Sequence, residues 1–334
     1  MIMNIVVIGL GSMGKRRIRL LKQYIEREVN DKSSWNIIGV DSNDERCRES
    51  STLYDIVTYT SLDDALQTET VDCAVISTSP HTHAAIIREC LQHKLHVFTE
   101  LNLISDGYED NIALSKREEK VLFLSSTFMY RKEMQYIKEK VQTSQFKGLY
   151  RYHIGQYLPE WHPWENYKNF FAGRKDTNGC REIFAIELPW LTDIFGEIVA
   201  VHSLHRKVSD LEIDYDDSYQ VLVEHASGVM GNLSVDIVTP KAGRELEIWA
   251  EGFYLGWKGT PDTLTEFDNS TGSTQNILLY EQVEHKEGYN QFIVENAYYD
   301  ELVNFIHSVQ QKELPRYSFE QDSKILAWID EIEK

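Results

Sequence analysis

Cysteine is scarce in this 334-residue chain: Cys47, Cys73, Cys90 and Cys180 lie far apart and form no C-x-x-C pair. That excludes a thioredoxin-like dithiol, a paired-thiol zinc site and a disulfide-stapled miniprotein, and the four read as reduced, mostly buried thiols. Long apolar runs are missing as well. No stretch approaches the ~18 residues of a membrane span, and the N-terminus lacks the basic leader and cleavage pattern of a signal peptide, so a cytoplasmic protein is expected. Basic residues are in deficit, 34 Lys and Arg against 53 Asp and Glu, a net charge of -19. Such a surface repels phosphate backbones and anionic lipid, and neither a nucleic acid nor a membrane is expected as a partner. There is no internal repeat and no low-complexity tract. With 42% hydrophobic and 26% charged residues the chain has the composition of a globular protein, and its length corresponds to roughly two domains.

Across residues 4–126, short Val- and Ile-rich runs at 5–8, 37–40, 74–77, 96–99 and 121–125 alternate with amphipathic stretches. This is the pattern of an α/β, doubly wound parallel sheet buried on both faces. Between the first two runs, Ile18, Leu21, Ile25 and Val29 mark one apolar helical face. After a further helix at 131–142 the texture changes to polar-apolar alternation. Runs at 150–154, 199–208, 219–223, 229–238, 245–250, 253–257 and 277–280 predict a largely antiparallel open sheet with one buried face. Hairpin turns are expected at Ser227-Gly228 and Glu251-Gly252, a surface loop over 260–274, and two closing helices at 295–311 and 319–333. The reading is a dinucleotide-binding Rossmann domain over 1–126 and an α+β substrate and oligomerisation domain over 127–334.

The strongest chemical signal is Gly9-Leu10-Gly11-Ser12-Met13-Gly14, a G-x-G-x-x-G between a strand and a helix. There the glycines allow a tight turn, close backbone approach to a pyrophosphate and close helix packing, while the helix N-terminus offers free N–H groups to phosphate. Lys15, Arg16 and Arg17 follow in the first turn, and none is taken as a ligand. Asp41, at the end of the second strand, is placed to bind a ribose 2′-hydroxyl and repel a 2′-phosphate. It falls later than the usual spacing because residues 30–36 insert a polar loop. The carboxylate points to NAD; Arg46 nearby leaves NADP open.

Two further motifs, Ser77-Thr78-Ser79-Pro80-His81-Thr82-His83 and His96-Val97-Phe98-Thr99-Glu100, with the two-domain plan, resemble the glucose-fructose oxidoreductase and inositol dehydrogenase family of NAD(P)-dependent sugar oxidoreductases. The resemblance implies that Ser79, Pro80 and His83 lie near the cofactor and Glu100 near the nicotinamide ribose. It also implies that the last helices return toward the first domain and that the protein forms a homo-oligomer through its C-terminal sheet. Two departures stand out. Leu101 and Asn102 occupy the places of the family's substrate-steering lysine and following proline, and the family's active-site helix pattern, anchored on Gly196, puts Glu182, Ile186 and Pro189 at its three polar positions.

A one-residue slip of that helix brings Glu187 to the place of the family's histidine base. A buried glutamate can serve as base, because desolvation raises its pKa; ordinary ion pairing with nearby arginines is the competing role. The second candidate region, residues 156–168, sets Trp161, Trp164 and Tyr167 beside His162, carboxylates and Lys168, a composition suited to a sugar ring and its hydroxyls. The expected function is hydride transfer between a nicotinamide and a sugar or sugar derivative, including nucleotide sugars. Glu187, His162, Glu182 and Lys168 are the proton-handling candidates in that order, and no metal is expected. The alternative is a sensor or partner protein that keeps the cofactor site without turnover.

Overall fold

The computed structural model describes residues 3–144, 146–161, 165–284 and 292–334. His162 and Trp164 therefore lie outside the described residues. Two compact units emerge: Met1–Ser126 with Tyr298–Ser323, and Thr127–Ala297 with Lys324–Lys334.

In the first unit β1 (Met3–Ile8), β2 (Trp35–Val40), β3 (Val57–Tyr59), β4 (Cys73–Ile76), β5 (His96–Thr99) and β6 (Leu122–Leu124) form one sheet in the order β3-β2-β1-β4-β5-β6. Every neighbouring pair is parallel. Helices α1 (Ser12–Glu28), α2 (Asp44–Tyr54), α3 (Leu62–Thr68), α4 (Pro80–Gln92) and α5 (Tyr108–Arg117) alternate with the strands. Ile5, Val6 and Val7 are wholly buried, and α1 buries Ile18, Leu20, Leu21 and Tyr24, so its apolar face is set slightly off the expected stripe. β3 escaped the sequence reading because it is a three-residue edge strand, half exposed, with no apolar run to betray it.

The second unit holds α6 (Lys132–Thr143), β7 (Leu149–Tyr157), α7 (Gly179–Phe195), β8 (Ile198–Arg206), β9 (Ser218–His225), β10 (Met230–Asp236), β11 (Val238–Ala250), β12 (Phe253–Trp257), β13 (Thr265–Asp268) and β14 (Ser273–Asn276). These strands form a sheet in the order β14-β13-β12-β11-β7-β10-β9-β8, antiparallel except where β10 runs parallel to β7. Its buried face carries Tyr150, Tyr152, Ile154, Val221, Val223, Leu233, Val235, Leu246 and Ile248. Phe195 and Phe184 of α7 meet that face, stacking on Tyr150 at 4.7 Å and edge-on to Tyr219 at 5.4 Å.

Two expectations are corrected. Residues 277–280 are not a strand, and the stretch read as a loop contains β13 and the start of β14. Those two strands are polar and half or fully exposed, so alternation gave no signal. The chain closes with α8 (Glu295–Val309) and α9 (Phe319–Ile332). Among the described residues no helix is long and apolar enough to cross a membrane.

Candidate functional site

The first unit ends its central strands in a backbone cradle. Ile8 passes into Gly9, whose N–H donates to the Val40 carbonyl at 2.8 Å, while the Ser77 N–H donates to the Ile8 carbonyl at 2.7 Å. The loop is thereby stitched to the ends of β2 and β4. A Cβ on Gly14 would stand 1.8 Å from the Gly9 carbonyl oxygen, so helix and loop approach at a distance only glycine permits. Gly11 is the opposite case: nothing lies within 4 Å of where its Cβ would be. Gly11 is also the N-cap of α1, with no side-chain cap and no acidic residue in the first turn. An uncapped helix start beside open space fits a dinucleotide pyrophosphate, since the N-terminal N–H groups and the helix dipole both favour an anion there.

Asp41 is 8% exposed, and its carboxylate holds this loop: Oδ2 accepts from the Leu10 N–H at 2.7 Å and Oδ1 from the Asn43 N–H at 2.8 Å. Arg46 stands 3.6 Å away on the exposed side. Ser79 caps α4 with no side-chain bond, and Pro80 opens that helix.

His83 faces inward, 2% exposed, with Nδ1 2.6 Å from Asn102 Oδ1 and Nε2 3.0 Å from the Thr78 carbonyl. Burial pushes its pKa down, favouring the neutral ring, which has one N–H to give. The arrangement closes when Nε2–H donates to Thr78 and the Asn102 amide turns its NH2 toward Nδ1. His83 therefore ties the turn after β4 to the segment after β5. Asn102, by being an amide rather than a proline, gains His83 as a partner.

Glu100, just past β5, is gripped by Arg17 through Nε and Nη2 at 2.6 and 2.9 Å. Sequence reading named Arg17 without a partner; nothing in the sequence marked Glu301 of α8, 2.8 Å from the same guanidinium.

In the second unit Glu187 is fully buried, and three donors close on its carboxylate: Tyr152 OH at 2.8 Å, Trp190 Nε1 at 2.7 Å and Arg244 Nε at 2.9 Å. The Arg244 guanidinium lies over the Phe128 and Phe292 rings at 4.9 and 5.5 Å. A carboxylate so occupied is a packing element. Leaving Arg244 without its partner exposes the desolvation cost of a buried charge, so Glu187→Ala is expected to lose about 3–5 kcal/mol in urea unfolding. A loss below about 1 kcal/mol would contradict this structural role.

Glu182 is different. It sits in the first turn of α7, whose N-cap Asn178 accepts from the Arg181 N–H at 2.7 Å. Its side chain is partly exposed, but Oε2 is buried and has no partner among the described residues; desolvation pushes its pKa up to about 7. Trp161 Nε1 is likewise buried and unpartnered, and its ring reaches 3.3 Å from where a Cβ of Gly179 would lie. Gly179 and Glu182 are three residues apart in α7, so the Trp161 ring lies against the turn that carries Glu182. Lys168 is a surface side chain paired with Glu212. The structure thus brings Glu182 and Trp161 to one turn and sets Glu187 and Lys168 in other pairings. Tyr152 and Arg244 escaped sequence reading because only strand register brings them to Glu187.

A six-stranded parallel sheet in this order, with an open glycine cradle at the head of its first helix, defines a dinucleotide-binding Rossmann domain. Residues 3–124 match the family model described as oxidoreductase family, NAD-binding Rossmann fold, as the motifs there implied. Mouse (Mus musculus) biliverdin reductase A is 29% identical over 198 residues, 58% of this chain and 59% of that protein, so the match spans less than two thirds of the relative's length. Among solved structures, an oxidoreductase from Agrobacterium radiobacter in complex with NAD+, L-tartaric acid and magnesium superposes with a TM-score of 0.81 at 12% identity, covering 99% of this chain and 95% of that one. The WlbA dehydrogenase from Bordetella pertussis, in complex with NADH and UDP-GlcNAcA, gives 0.76 at 14% identity, covering 99% and 95%.

Proposed function

We propose that this protein is an NAD-dependent dehydrogenase that oxidises a secondary hydroxyl of a sugar or nucleotide sugar. The observation that carries it is the open, uncapped start of α1 at Gly11. Nicotinamide, when bound, supplies the hydride acceptor at C4. The chain's own part is to hold and to deprotonate. The α1 backbone N–H groups take the pyrophosphate, Asp41 keeps the loop in place and offers its remaining lone pairs to a ribose hydroxyl, and Arg46 leaves room for NADP. Ser79 and Pro80 border the cofactor at the head of α4.

Glu182 is the proposed base in place of Glu187: its carboxylate takes the hydroxyl proton as the carbon's hydride leaves and the carbonyl forms. The Trp161 indole N–H orients a second hydroxyl. The sugar class is supported by fold likeness to WlbA, solved with UDP-GlcNAcA. A second reading, reduction of an extended conjugated substrate by the reduced cofactor, is favoured by the curated relative, which at 29% is nearer in sequence than either of these structures. A homo-oligomer is proposed through the solvent face of the eight-stranded sheet, where Leu204, Leu222 and Met230 are exposed; a monomer in sedimentation would overturn it.

The test is a panel of sugars, polyols and nucleotide sugars with NAD, and biliverdin with NADH, followed through the absorbance of the reduced nicotinamide. Turnover of a hydroxylated substrate supports the proposal. Turnover of biliverdin alone selects the second reading, and saturable NAD binding without turnover of any substrate selects a sensor.

A further inference from the structure

Within the second unit lies a cavity of about 480 Å³, inside the range of small-molecule pockets, about 300–1,000 Å³. It is bounded by Asn178 at the head of α7, Tyr215 in the loop between β8 and β9, Tyr219 at the start of β9 and Glu333 just past α9. The face of α7 that carries Glu182 points elsewhere. Phe184, about 160° round the helix from Glu182, meets the ring of Tyr219 edge-on at 5.4 Å, and Tyr219 is a wall of the cavity. No step of the proposed oxidation uses this space.

Most of its polar walls are already tied down. Arg181 Nη1 donates to Glu333 Oε2 at 2.5 Å, and Asn178 Nδ2 donates to Glu333 Oε1 at 2.8 Å. His205 Nδ1 lies 2.6 Å from Asp216 Oδ2, and its ring stacks on Tyr219 at 5.1 Å. The Tyr215 hydroxyl donates to the Ala172 carbonyl at 2.5 Å, and the Lys207 ammonium donates to the Ser209 carbonyl at 2.9 Å. These contacts set the shape of the cavity before any ligand enters.

Three lining groups remain. Tyr219 is 3% exposed, yet its hydroxyl has no hydrogen-bond partner among the described residues. A phenol so buried ordinarily finds one. Lys175 and Asp214, both exposed, have no ion pair among the described residues. A preformed space is thus lined by one free cation, one free anion and a hydroxyl that can donate or accept.

We propose that this cavity binds a small zwitterion of the α-amino acid class, its carboxylate on Lys175, its ammonium on Asp214 and a polar atom on the Tyr219 hydroxyl. A simple anion would satisfy Lys175 but bring its charge against Asp214 and Asp216, and a simple cation would be repelled by Lys175. A neutral sugar would leave both charges unanswered. A molecule that carries both signs answers each of the three groups at once.

The experiment screens the protein amino acids one by one, with D-glucose and inorganic phosphate beside them, by thermal shift of the full chain, and titrates the hits by calorimetry. At least one amino acid is expected to bind saturably, and Asp214→Asn and Lys175→Met should each weaken it about tenfold while NAD affinity stays at the wild-type value. The amide of the same amino acid, which lacks the carboxylate, should bind the wild type more weakly and be indifferent to Lys175→Met. Glu182→Gln should leave the amino acid's affinity unchanged. No saturable binding by any amino acid at about 10 mM would overturn the proposal, as would full affinity in both charge variants. Displacement by phosphate or glucose would make this an anion or polyol site instead, and loss of binding in Glu182→Gln would place the ligand at the site already described; either result overturns it.

Discussion

Glu182→Gln is expected to lower kcat about 10²- to 10⁴-fold, the usual range for loss of a general base, with little change in NAD affinity. The wild-type rate of hydroxyl oxidation should climb as pH rises through about 7, where the carboxyl gives up its proton, and the variant should lose that limb. The same shift has a signed effect on stability. Desolvation raises the folded pKa to about 7 from the ordinary 4.5, so the folded protein holds this proton more tightly than the unfolded chain. The contribution is therefore full below about pH 4.5, is lost as pH rises toward 7, and amounts to about 3 kcal/mol in order of magnitude. Glu182→Gln should consequently be more stable than the wild type near pH 8 and no more stable near pH 4. A variant with the wild-type pH profile and thermal midpoint would remove Glu182 from the mechanism.

Gly11→Val should cut NAD affinity about 100-fold or more, because the new side chain enters the space where phosphate must approach the backbone. The fold itself has room. Gly11 has φ -72°, which valine adopts, and no atom lies near enough to clash. Only a poorer helix cap is lost, at about 1 kcal/mol. Gly14→Ala makes the contrast, since its Cβ would collide with the Gly9 carbonyl and disturb the loop without any ligand. Calorimetric titration with NAD, beside thermal melts, separates the two: Gly11→Val melts near wild type and does not bind, whereas Gly14→Ala loses stability. Wild-type affinity in Gly11→Val would mean that the cradle does not hold a pyrophosphate.

The Rossmann half was legible because its signals are local. Continuous apolar runs marked β1, β2, β4, β5 and β6, and the glycine string lay within six residues. The polar edge strands β3, β13 and β14 bury too little to leave a pattern. The candidate site divided in the same way. Sequence reading ranked Glu187 above Glu182, and composition could not tell them apart, since both are glutamates on one amphipathic helix. What separates them is partners far along the chain: Tyr152 and Arg244 close on Glu187, while nothing described closes on Oε2 of Glu182. The pairing of Glu100 with Arg17 and Glu301 is of the same kind, with sequence separations of 83 and 284 residues from Arg17. Periodicity along one helix carries no record of such contacts.

The most direct test of the account is to incubate the protein with NAD and a panel of carbon-deuterated sugars and nucleotide sugars, denature it, and examine the released nicotinamide by mass spectrometry. This detects hydride transfer even when the cofactor never leaves during a cycle. The account predicts deuterium at C4 of the reduced ring for at least one substrate, lost in Glu182→Gln. Saturable NAD binding with no deuterium on the ring from any member of the panel would contradict it.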